Sequence, residues 1–191
     1  MTDTLQIGAG CALVLIDLQG GIVSRDTAPY PATAVVAASA RLAERFRAKG
    51  LPVIFVTVGW ATDMADAPRQ RYAPAIAAPA DMDAFVALAP ELGTAPGDVH
   101  VRKHQWGAFH GTDLDVQLRR RGIDTIVLAG IATNMGVEST ARAAWEHGYA
   151  IVFAEDATTS FGADMHRFSF DTIFPKLGLV SDCDAVIAAL G

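Results

Sequence analysis

The chain has 191 residues, of which 51% are hydrophobic and 19% charged, a composition typical of one globular domain and not of a disordered chain. Its net charge of −6 gives no electrostatic reason to expect nucleic acid or an anionic membrane as a partner. The two cysteines, Cys11 and Cys183, lie far apart and form neither a disulfide framework nor a paired metal-binding motif.

The first predicted strand ends in a carboxylate. Residues 12–16 form an unbroken apolar run, as expected of a parallel strand buried on both faces, and Asp17 and Gln19 follow it. A carboxylate directly after a buried strand is costly unless it is paired or used, so Asp17 is a candidate functional residue. An apolar stripe at helical spacing then predicts a helix over residues 32–49, which Gly50 closes.

A third element, residues 51–58, is again apolar throughout and runs into Gly59 and Trp60. Residues 61–97 then show weak periodicity and contain five prolines. We interpret them as a long loop with one short helix near residues 81–88. A loop of this length in a compact domain usually carries function or a contact with a partner.

The next predicted strand leads into a polar and aromatic segment. Residues 99–102 predict a short strand that ends in Lys103, and Trp106 and Phe109 lie a few positions further on. Together with Trp60, these aromatic side chains are placed to wall an aromatic or planar ligand. An equally good interpretation makes them the core of a lid or of a contact between subunits.

A sharp strand-to-helix turn organises the second half of the chain. Residues 126–129 predict another buried strand, which Gly130 ends, and a tight turn through Gly136 leads directly into a helix. Thr133 or Asn134 can cap this helix, which leaves the first-turn amides, Gly136 included, pointing out of its end. Such a turn favours an anion or oxyanion site. An ordinary strand–helix connection, with glycines for close packing, explains the same stretch equally well.

The remaining elements continue the alternation of strands and helices. They are a helix through residue 118 that residues 111–113 cap, a strand over residues 150–154 that ends in Glu155 and Asp156, a helix over residues 163–174, a strand over residues 177–180 and a last helix over residues 182–190. Strands and helices that alternate over short connections predict a three-layer α/β/α sandwich with a mostly parallel, Rossmann-like sheet. We expect it to form a single domain over residues 1–191.

Polar residues converge at one edge of this predicted sheet. In a parallel sheet the carboxyl ends of all strands lie on one edge, where ligands bind. Five segments deliver polar or glycine-rich residues there: Asp17, Gly59 with Trp60, Lys103, the turn at residues 130–136, and Asp156. Asp17 and Lys103 form the natural pair, because each offsets the burial cost of the other. The alternative is a structural ion pair that merely closes the sheet edge.

Other arrangements of functional residues are weak in this sequence. The five histidines lack convergent metal-ligand spacing, and each is better explained as a surface or pocket-lining residue. Asp63 follows the third element without an accompanying histidine. The sequence also lacks glycine-rich phosphate-binding loops and the nucleophile-elbow motif. We therefore expect neither a metal nor a cofactor.

The ordered motifs resemble those of the isochorismatase-like (cysteine hydrolase) superfamily over nearly the whole chain. The matching stretches are residues 14–19, Lys103 with residues 106–109, residues 130–133 with residues 137–141, and residues 155–157. The resemblance implies that Asp17 is the catalytic carboxylate and Lys103 its partner. It also implies a non-proline cis peptide before Ala132, with the amides of Ala132 and residue 136 in an oxyanion hole.

Position 136 separates the branches of this superfamily. Amidases carry their nucleophilic cysteine there, whereas this chain has Gly136, so a thioester route lacks its nucleophile. Cys11 and Cys183 lie in the wrong parts of the chain to substitute for it. Isochorismatases proper also carry glycine, and in that branch Asp17 would protonate an enol-ether methylene before water completes the cleavage. Isochorismatases have a bulky aromatic residue in place of Ala132 and a glutamine in place of Gly59-Trp60. The resemblance therefore does not identify the substrate of this chain.

The sequence therefore predicts a hydrolase of a small molecule whose chemistry depends on an aspartate and a lysine and not on a cysteine. The predicted catalytic residues are Asp17, Lys103 and Gly136, and the predicted substrate-binding residues are Gln19, Trp60, Trp106, Phe109 and Thr133. Two alternatives stay open. One is a binding protein that kept the pocket without catalysis, and the other is an amidase with a nucleophile elsewhere.

The sequence also suggests how the protein associates and where it works. Besides the small-molecule substrate we expect a second copy as partner, because Trp60, Ile76, Phe85 and Leu88 offer apolar surface that a monomer rarely exposes. We expect no nucleic-acid or membrane partner. Neither a secretory signal nor an apolar run of about 18 residues is found, so we expect a cytoplasmic protein. The resemblance also implies a homo-oligomer.

Overall fold

The computed structural model describes residues 7–191, and it contains a six-stranded sheet in which every pairing is parallel. The strands are β1 (Cys11–Ile16), β2 (Val53–Val58), β3 (Val99–Lys103), β4 (Thr125–Ile131), β5 (Ala150–Thr159) and β6 (Leu179–Ser181). Their order across the sheet is β3-β2-β1-β4-β5-β6, so the chain moves outward from β1 in one direction and outward from β4 in the other.

Helices cover both faces of this sheet. They are α1 (Gly20–Val23), α2 (Ala32–Ala48), α3 (Met82–Val86), α4 (Leu114–Arg120), α5 (Glu138–Glu146), α6 (Ala163–Phe168) and α7 (Cys183–Ala189). A π-helical turn at Thr133–Val137 leads into α5, another at Ser169–Ile173 extends α6, and short 3₁₀ turns occupy Pro90–Leu92 and Phe174–Lys176. Within residues 7–191 we find no helix with the length and apolar character that crossing a membrane requires.

Two hydrophobic cores lie on opposite faces of the sheet. Because successive side chains of a strand point to opposite faces, β1 contributes Leu13 and Leu15 to one core and Val14 and Ile16 to the other. The first core is covered by α2 and α7, and the second by α4 and α5. The predicted three-layer α/β sandwich is thus confirmed.

Gly130 lies inside β4, not at its end as predicted. Its φ angle is +124°, and a Cβ atom added there would lie 2.1 Å from the carbonyl oxygen of Ile16 on β1. Both the backbone conformation and the close approach of β1 therefore require glycine at this position. The strand continues past it to Ile131.

The prediction that β5 ends at residue 154 was wrong. Leu128 of β4 pairs with Phe153, but Gly130 pairs with Thr158, so β5 contains a bulge of several residues between these pairs. Asp156 consequently lies within the bulge and not at the carboxyl end of the strand. Local hydrophobicity does not reveal a bulge, because only the pairing with β4 defines it.

The long segment 61–97 is anchored to the sheet edge through Gln19. This fully buried side chain donates hydrogen bonds to the carbonyl oxygens of Val58 at 2.8 Å and Phe85 at 3.0 Å, and accepts one from the Val58 amide at 2.7 Å. The helix α3, which contains Phe85, is the short helix that the sequence predicts. It packs on α1 at Gly21, where an added Cβ atom would lie 1.9 Å from the Phe85 ring.

We expect Gly130→Ala to destabilise the fold severely, because the new methyl group would collide with the backbone of β1. The loss in the free energy of unfolding should be roughly 4 kcal/mol or more. Gly148→Ala is the matched control, since Gly148 also has a positive φ, +83°, but has no atom within 4 Å of the added Cβ. It should lose only about 1 kcal/mol. Urea unfolding measures both values, and equal losses would contradict the close approach of β4 to β1.

Candidate active site

The candidate site lies where the order of the strands reverses. Because the chain leaves β1 and β4 in opposite directions, the crevice above their carboxyl ends is the topological switch point at which open α/β sheets bind ligands. Asp17 directly follows β1, and Ala132 begins the turn that follows β4. Both residues are therefore at the position that the sheet topology favours for a site.

Lys103 reaches Asp17 across the strand between them. Neighbouring strands lie about 4.8 Å apart, so the backbones of β1 and β3 are separated by roughly 10 Å. The lysine and aspartate side chains together span this gap, and Lys103 Nζ donates to Asp17 Oδ2 at 2.7 Å and to the Trp106 carbonyl oxygen at 2.6 Å. Lys103 is 1% exposed and Asp17 5% exposed. The predicted pair is thus a buried ion pair.

Asp17 itself is held in an unusual conformation. Its φ angle is +53°, in the left-handed region that aspartate tolerates better than most residues and that is over-represented at functional sites. Its second carboxylate oxygen, Oδ1, is buried and has no hydrogen-bond partner among residues 7–191. An unpaired buried oxygen is costly. A proton or a ligand group at Oδ1 would remove that cost.

The surroundings of Asp17 suit it to proton transfer. Burial raises its pKa to about 6, and the charge and hydrogen bond of Lys103 lower that pKa only in part. A carboxyl group with a pKa close to the working pH is present in both protonation states. Such a group can act as an acid or as a base.

Position 136 faces this ion pair. A Cβ atom built on Gly136 would lie 3.1 Å from Asp17 Oδ2 and 3.2 Å from Lys103 Nζ. Glycine therefore allows the turn to pack directly against the two charged groups, and the catalytic role of the three residues stays a prediction. The peptide bond between Ile131 and Ala132 is cis, as the resemblance implies. The oxyanion role of the residue-132 and residue-136 amides stays a prediction.

The turn after β4 differs from the helix start that the sequence predicts. Its helical backbone begins at Thr133, and Ala132 occupies the cap position without a side-chain hydrogen bond. The Thr133 hydroxyl instead lies 2.9 Å from Nδ1 of His166, and Asn134 accepts a hydrogen bond from the Ser160 hydroxyl at 2.6 Å. The predicted cap was wrong because both side chains have partners on distant parts of the chain.

Two residues predicted to contact substrate have no free side chain. Gln19 is fully buried, and both its amide nitrogen and its amide oxygen are hydrogen-bonded to the backbone. Thr133 is also fully buried, and its hydroxyl contacts His166. Both side chains hold the architecture around the site together, and contact of either residue with substrate stays a prediction.

The Phe109 ring packs against other aromatic side chains, and its contact with substrate stays a prediction. Its ring stacks on His147 with the centroids 5.0 Å apart and contacts the Tyr149 ring at 5.7 Å. Tyr149 directly precedes β5, so this cluster extends toward the amino ends of the strands. The sequence could not reveal this, because an aromatic residue near a strand end can turn toward either end of the helical layer.

The two tryptophans stay near the candidate site. Trp60 is half-buried, and its indole nitrogen donates to the carbonyl oxygen of His104 at 2.7 Å. Trp106 is 61% exposed and contributes the carbonyl oxygen that binds Lys103. Their backbone and indole groups hold the segment that carries Lys103, and the exposed Trp106 ring is free to contact a ligand.

Asp156 does not join the other segments. Its Oδ1 atom accepts a hydrogen bond from the Cys183 amide at 2.8 Å, at the start of α7. The bulge in β5 points it there, so the prediction that five segments converge is corrected to four.

His166 is the residue that sequence reasoning missed. It is 1% exposed, and its contact with Thr133, 33 positions earlier, has no local signal in the sequence.

Neither metal ligation nor cavity volume marks this site. Within the described part of the chain, no three histidine, cysteine, aspartate or glutamate side chains are placed to hold a metal ion. A cavity of about 550 Å³ lies at the opposite edge of the sheet, beside Leu51 and Val53. A second, of about 430 Å³, lies between α1 and α3 and is lined in part by Gly20 and Phe85. The buried ion pair of Asp17 and Lys103 is the feature that identifies the candidate site.

We expect Lys103→Met to destabilise the protein by about 3–5 kcal/mol at pH 8, because it leaves Asp17 buried without a partner charge. The penalty should shrink on acidification. The folded-state pKa of Asp17, already raised to about 6, would rise further without Lys103, so protonation below that pKa neutralises the carboxylate. Urea unfolding at pH 8 and pH 5 measures this difference. The double variant Asp17→Asn, Lys103→Met should recover much of the loss, and an equal penalty at both pH values would contradict the ion pair.

We expect both native thiols to resist alkylation. Cys11 is 1% exposed and Cys183 fully buried, and burial raises the pKa of Cys11 to about 12 and that of Cys183 further still. Only the thiolate is nucleophilic. Iodoacetamide should therefore modify neither cysteine in the folded protein and both after unfolding in urea, as mass spectrometry would report. Rapid modification of either thiol in the folded protein would contradict this result.

Known proteins share this architecture over nearly the whole chain. A family model described as the isochorismatase domain matches residues 11–185. The uncharacterized isochorismatase family protein YecD of Escherichia coli O157:H7 is 46% identical over 187 residues, which cover 94% of this chain and 95% of YecD. The solved structure of an isochorismatase family protein from Burkholderia thailandensis has a TM-score of 0.92 at 50% identity, with 97% of each chain covered. Ureidoacrylate amidohydrolase RutB of Methylobacterium radiotolerans is 32% identical over 205 residues, which cover 94% of this chain and 79% of RutB. The chain therefore belongs to the isochorismatase family of hydrolases.

Proposed function

We propose that this protein hydrolyses a small molecule by chemistry that depends on Asp17 and Lys103 and uses no cysteine. The observation that carries the proposal is the buried Asp17 carboxyl group, with one oxygen bound to Lys103 and the other without a partner among the described residues. A carboxyl group held in this way can transfer a proton at its free oxygen while the bound oxygen keeps it in place.

The raised pKa of Asp17 favours an acid over a base. Below a pKa of about 6 the carboxyl group carries its proton. When the proton leaves, a carboxylate forms 2.7 Å from the Lys103 ammonium group. The ion pair is therefore strongest after the proton has been transferred, and Lys103 stabilises the charge that develops during the step.

An enol ether is the substrate class that fits this acid. Asp17 would donate its proton to the terminal carbon of the double bond, which leaves an oxocarbenium ion. Water would add to that ion and lose a proton, which restores Asp17 and forms a hemiketal. Cleavage of the carbon–oxygen bond would then give a ketone and an alcohol. Each step balances without an oxidant and without a covalent intermediate.

A thioester route has little support in this chain. A side chain at position 136 would contact Asp17 and Lys103, yet Gly136 supplies no nucleophile there. Cys11 and Cys183 are buried within the hydrophobic core. RutB, a relative, is named an amidohydrolase, and an amide substrate in this chain would require Asp17 to activate water as a base. The pH dependence of the reaction separates these two roles.

A pure binding protein is the other alternative. Loss of catalysis would remove the need for either member of a buried ion pair, which costs several kcal/mol per ion to desolvate. The chain nevertheless keeps both Asp17 and Lys103 in direct contact. This favours retained chemistry.

We also propose that the protein self-associates. Ile76 is 40% exposed and offers apolar surface for a second copy, whereas Trp60 and Phe85 pack against each other.

A screen against isochorismate, ureidoacrylate and nicotinamide, with mass detection of products, tests the proposal. Asp17→Asn is the matched control, since it keeps the shape of the side chain and loses the exchangeable proton. We expect turnover of an enol ether by the native protein only. Binding without turnover by both proteins would support the non-catalytic alternative.

For whichever substrate turns over, we expect Asp17→Asn to lower kcat/KM on the order of a hundredfold or more. If Asp17 is the acid, kcat/KM of the native protein should fall as pH rises through its pKa of about 6. If Asp17 is a base, activity should fall on acidification instead. Measurements of kcat/KM across pH decide between them, and an Asp17→Asn protein with native activity would overturn the assignment altogether.

A further inference from the structure

We propose that His166 is a positioning residue, which holds Thr133 and thereby fixes the turn at residues 132–136 beside Asp17. This turn carries no catalytic side chain of its own. The inference rests on the proposed function, because under that function the turn faces the substrate. The contact between His166 and Thr133 itself does not depend on the reaction.

The imidazole of His166 is fixed from several sides. It is 1% exposed, and its Nδ1 atom lies 2.9 Å from the Thr133 hydroxyl, which is fully buried. The ring stacks on Phe170 with the centroids 4.5 Å apart and meets the edge of the Tyr30 ring at 5.8 Å. A side chain packed in this way has one orientation, so it can fix the atom that it binds.

The charges around the ring determine which nitrogen carries the proton. Nε2 lies 3.7 Å from Glu155 Oε1 and has no hydrogen-bond partner among the described residues. A proton on Nε2 faces this carboxylate favourably, whereas a lone pair would face it unfavourably. Nδ1 is therefore the acceptor, and the Thr133 hydroxyl donates to it. Burial lowers the pKa of His166 to about 4, against the opposing charge of Asp171, so the ring stays neutral near pH 7.

The turn depends on this contact because it has no ordinary cap. Ala132 makes no side-chain capping bond. The amides of Ala132, Thr133 and Asn134 donate to no backbone acceptor within residues 7–191. Helix starts usually rely on a side chain to hold such amides. Here the side chains reach outward instead, from Thr133 to His166 and from Asn134 to Ser160.

Holding Thr133 fixes the neighbouring positions as well. A threonine side chain has a single torsion between its hydroxyl and its backbone, so a bound hydroxyl restrains the Cα atom directly. Thr133 lies one residue after Ala132 and three before Gly136, whose added Cβ atom would touch Asp17 and Lys103. A shift of the turn would therefore alter the space beside the ion pair. Misplacement of about 1 Å is enough to slow an enzyme on the order of a hundredfold.

Three variants test the inference. His166→Phe keeps an aromatic ring for stacking on Phe170 and removes the acceptor. His166→Asn places an amide oxygen near the position of Nδ1 and serves as the conservative rescue. Thr133→Val removes the hydroxyl from the other side of the contact without changing the shape of the side chain. The first readout is the set of ¹⁵N amide chemical shifts of residues 132–136, which needs no substrate.

We expect His166→Phe and Thr133→Val to shift the same amides of residues 132–136, while the amides of α7 stay in place. His166→Asn should return them toward the native positions. The double variant His166→Phe, Thr133→Val should shift them no further than either single variant, because both remove one interaction. With a substrate in hand, kcat should fall about tenfold or more at a nearly unchanged KM.

Unchanged amides of residues 135 and 136 in Thr133→Val would overturn the inference, as would additive shifts of these two amides in the double variant. If His166→Phe fails to fold, Thr133→Val and His166→Asn still decide the outcome. The proposed function fails on a different result, an active Asp17→Asn protein, which leaves the amide shifts to decide the role of His166 alone.

Discussion

Burial of Asp17 and Lys103 as a pair is the constraint on which the rest of the site depends. Each ion alone would lose several kcal/mol on leaving water, and only close contact offsets that loss. The contact is 2.7 Å, and Lys103 gains a second acceptor from the Trp106 carbonyl oxygen. Because neither charge can move without leaving the other unpaired, the backbone segments that carry them must keep their positions. The strands and turns around the ion pair hold these backbone segments in position.

Two glycines bring β4 and its turn close enough to complete the site. Gly130 allows the backbone of β4 to approach Ile16 of β1, and Gly136 allows the turn to pack directly against Asp17 and Lys103. Gly130 acts within β4, and Gly136 acts within the turn that follows β4. The result is a charged pair enclosed between the strand ends and the turn after β4, with Lys103 1% exposed and Asp17 5% exposed.

The sequence predicted the architecture and the ion pair, because both follow from rules that operate over short stretches. Buried strands are continuous apolar runs, and parallel strands place the residue after each run at one edge. Asp17 and Lys103 could be paired on that basis. The roles of Gln19, Thr133, Phe109 and Asp156 could not, because each depends on a partner distant in sequence. The bulge in β5 redirects Asp156, and the contact between Thr133 and His166 exists only in the folded chain.

The anchoring of segment 61–97 by Gln19 makes the exposed part of this segment independent of the buried ion pair, so that either can change without the other. Gln19 bonds to the strand end at Val58 and to α3 at Phe85. Residues 61–80 between these points are mostly exposed, and Asp66 contacts His104 at 3.5 Å. Insertions or substitutions in this exposed stretch would leave the buried charges untouched. Under the proposed function, changes in this segment would alter which substrate binds and leave the proton transfer at Asp17 unchanged.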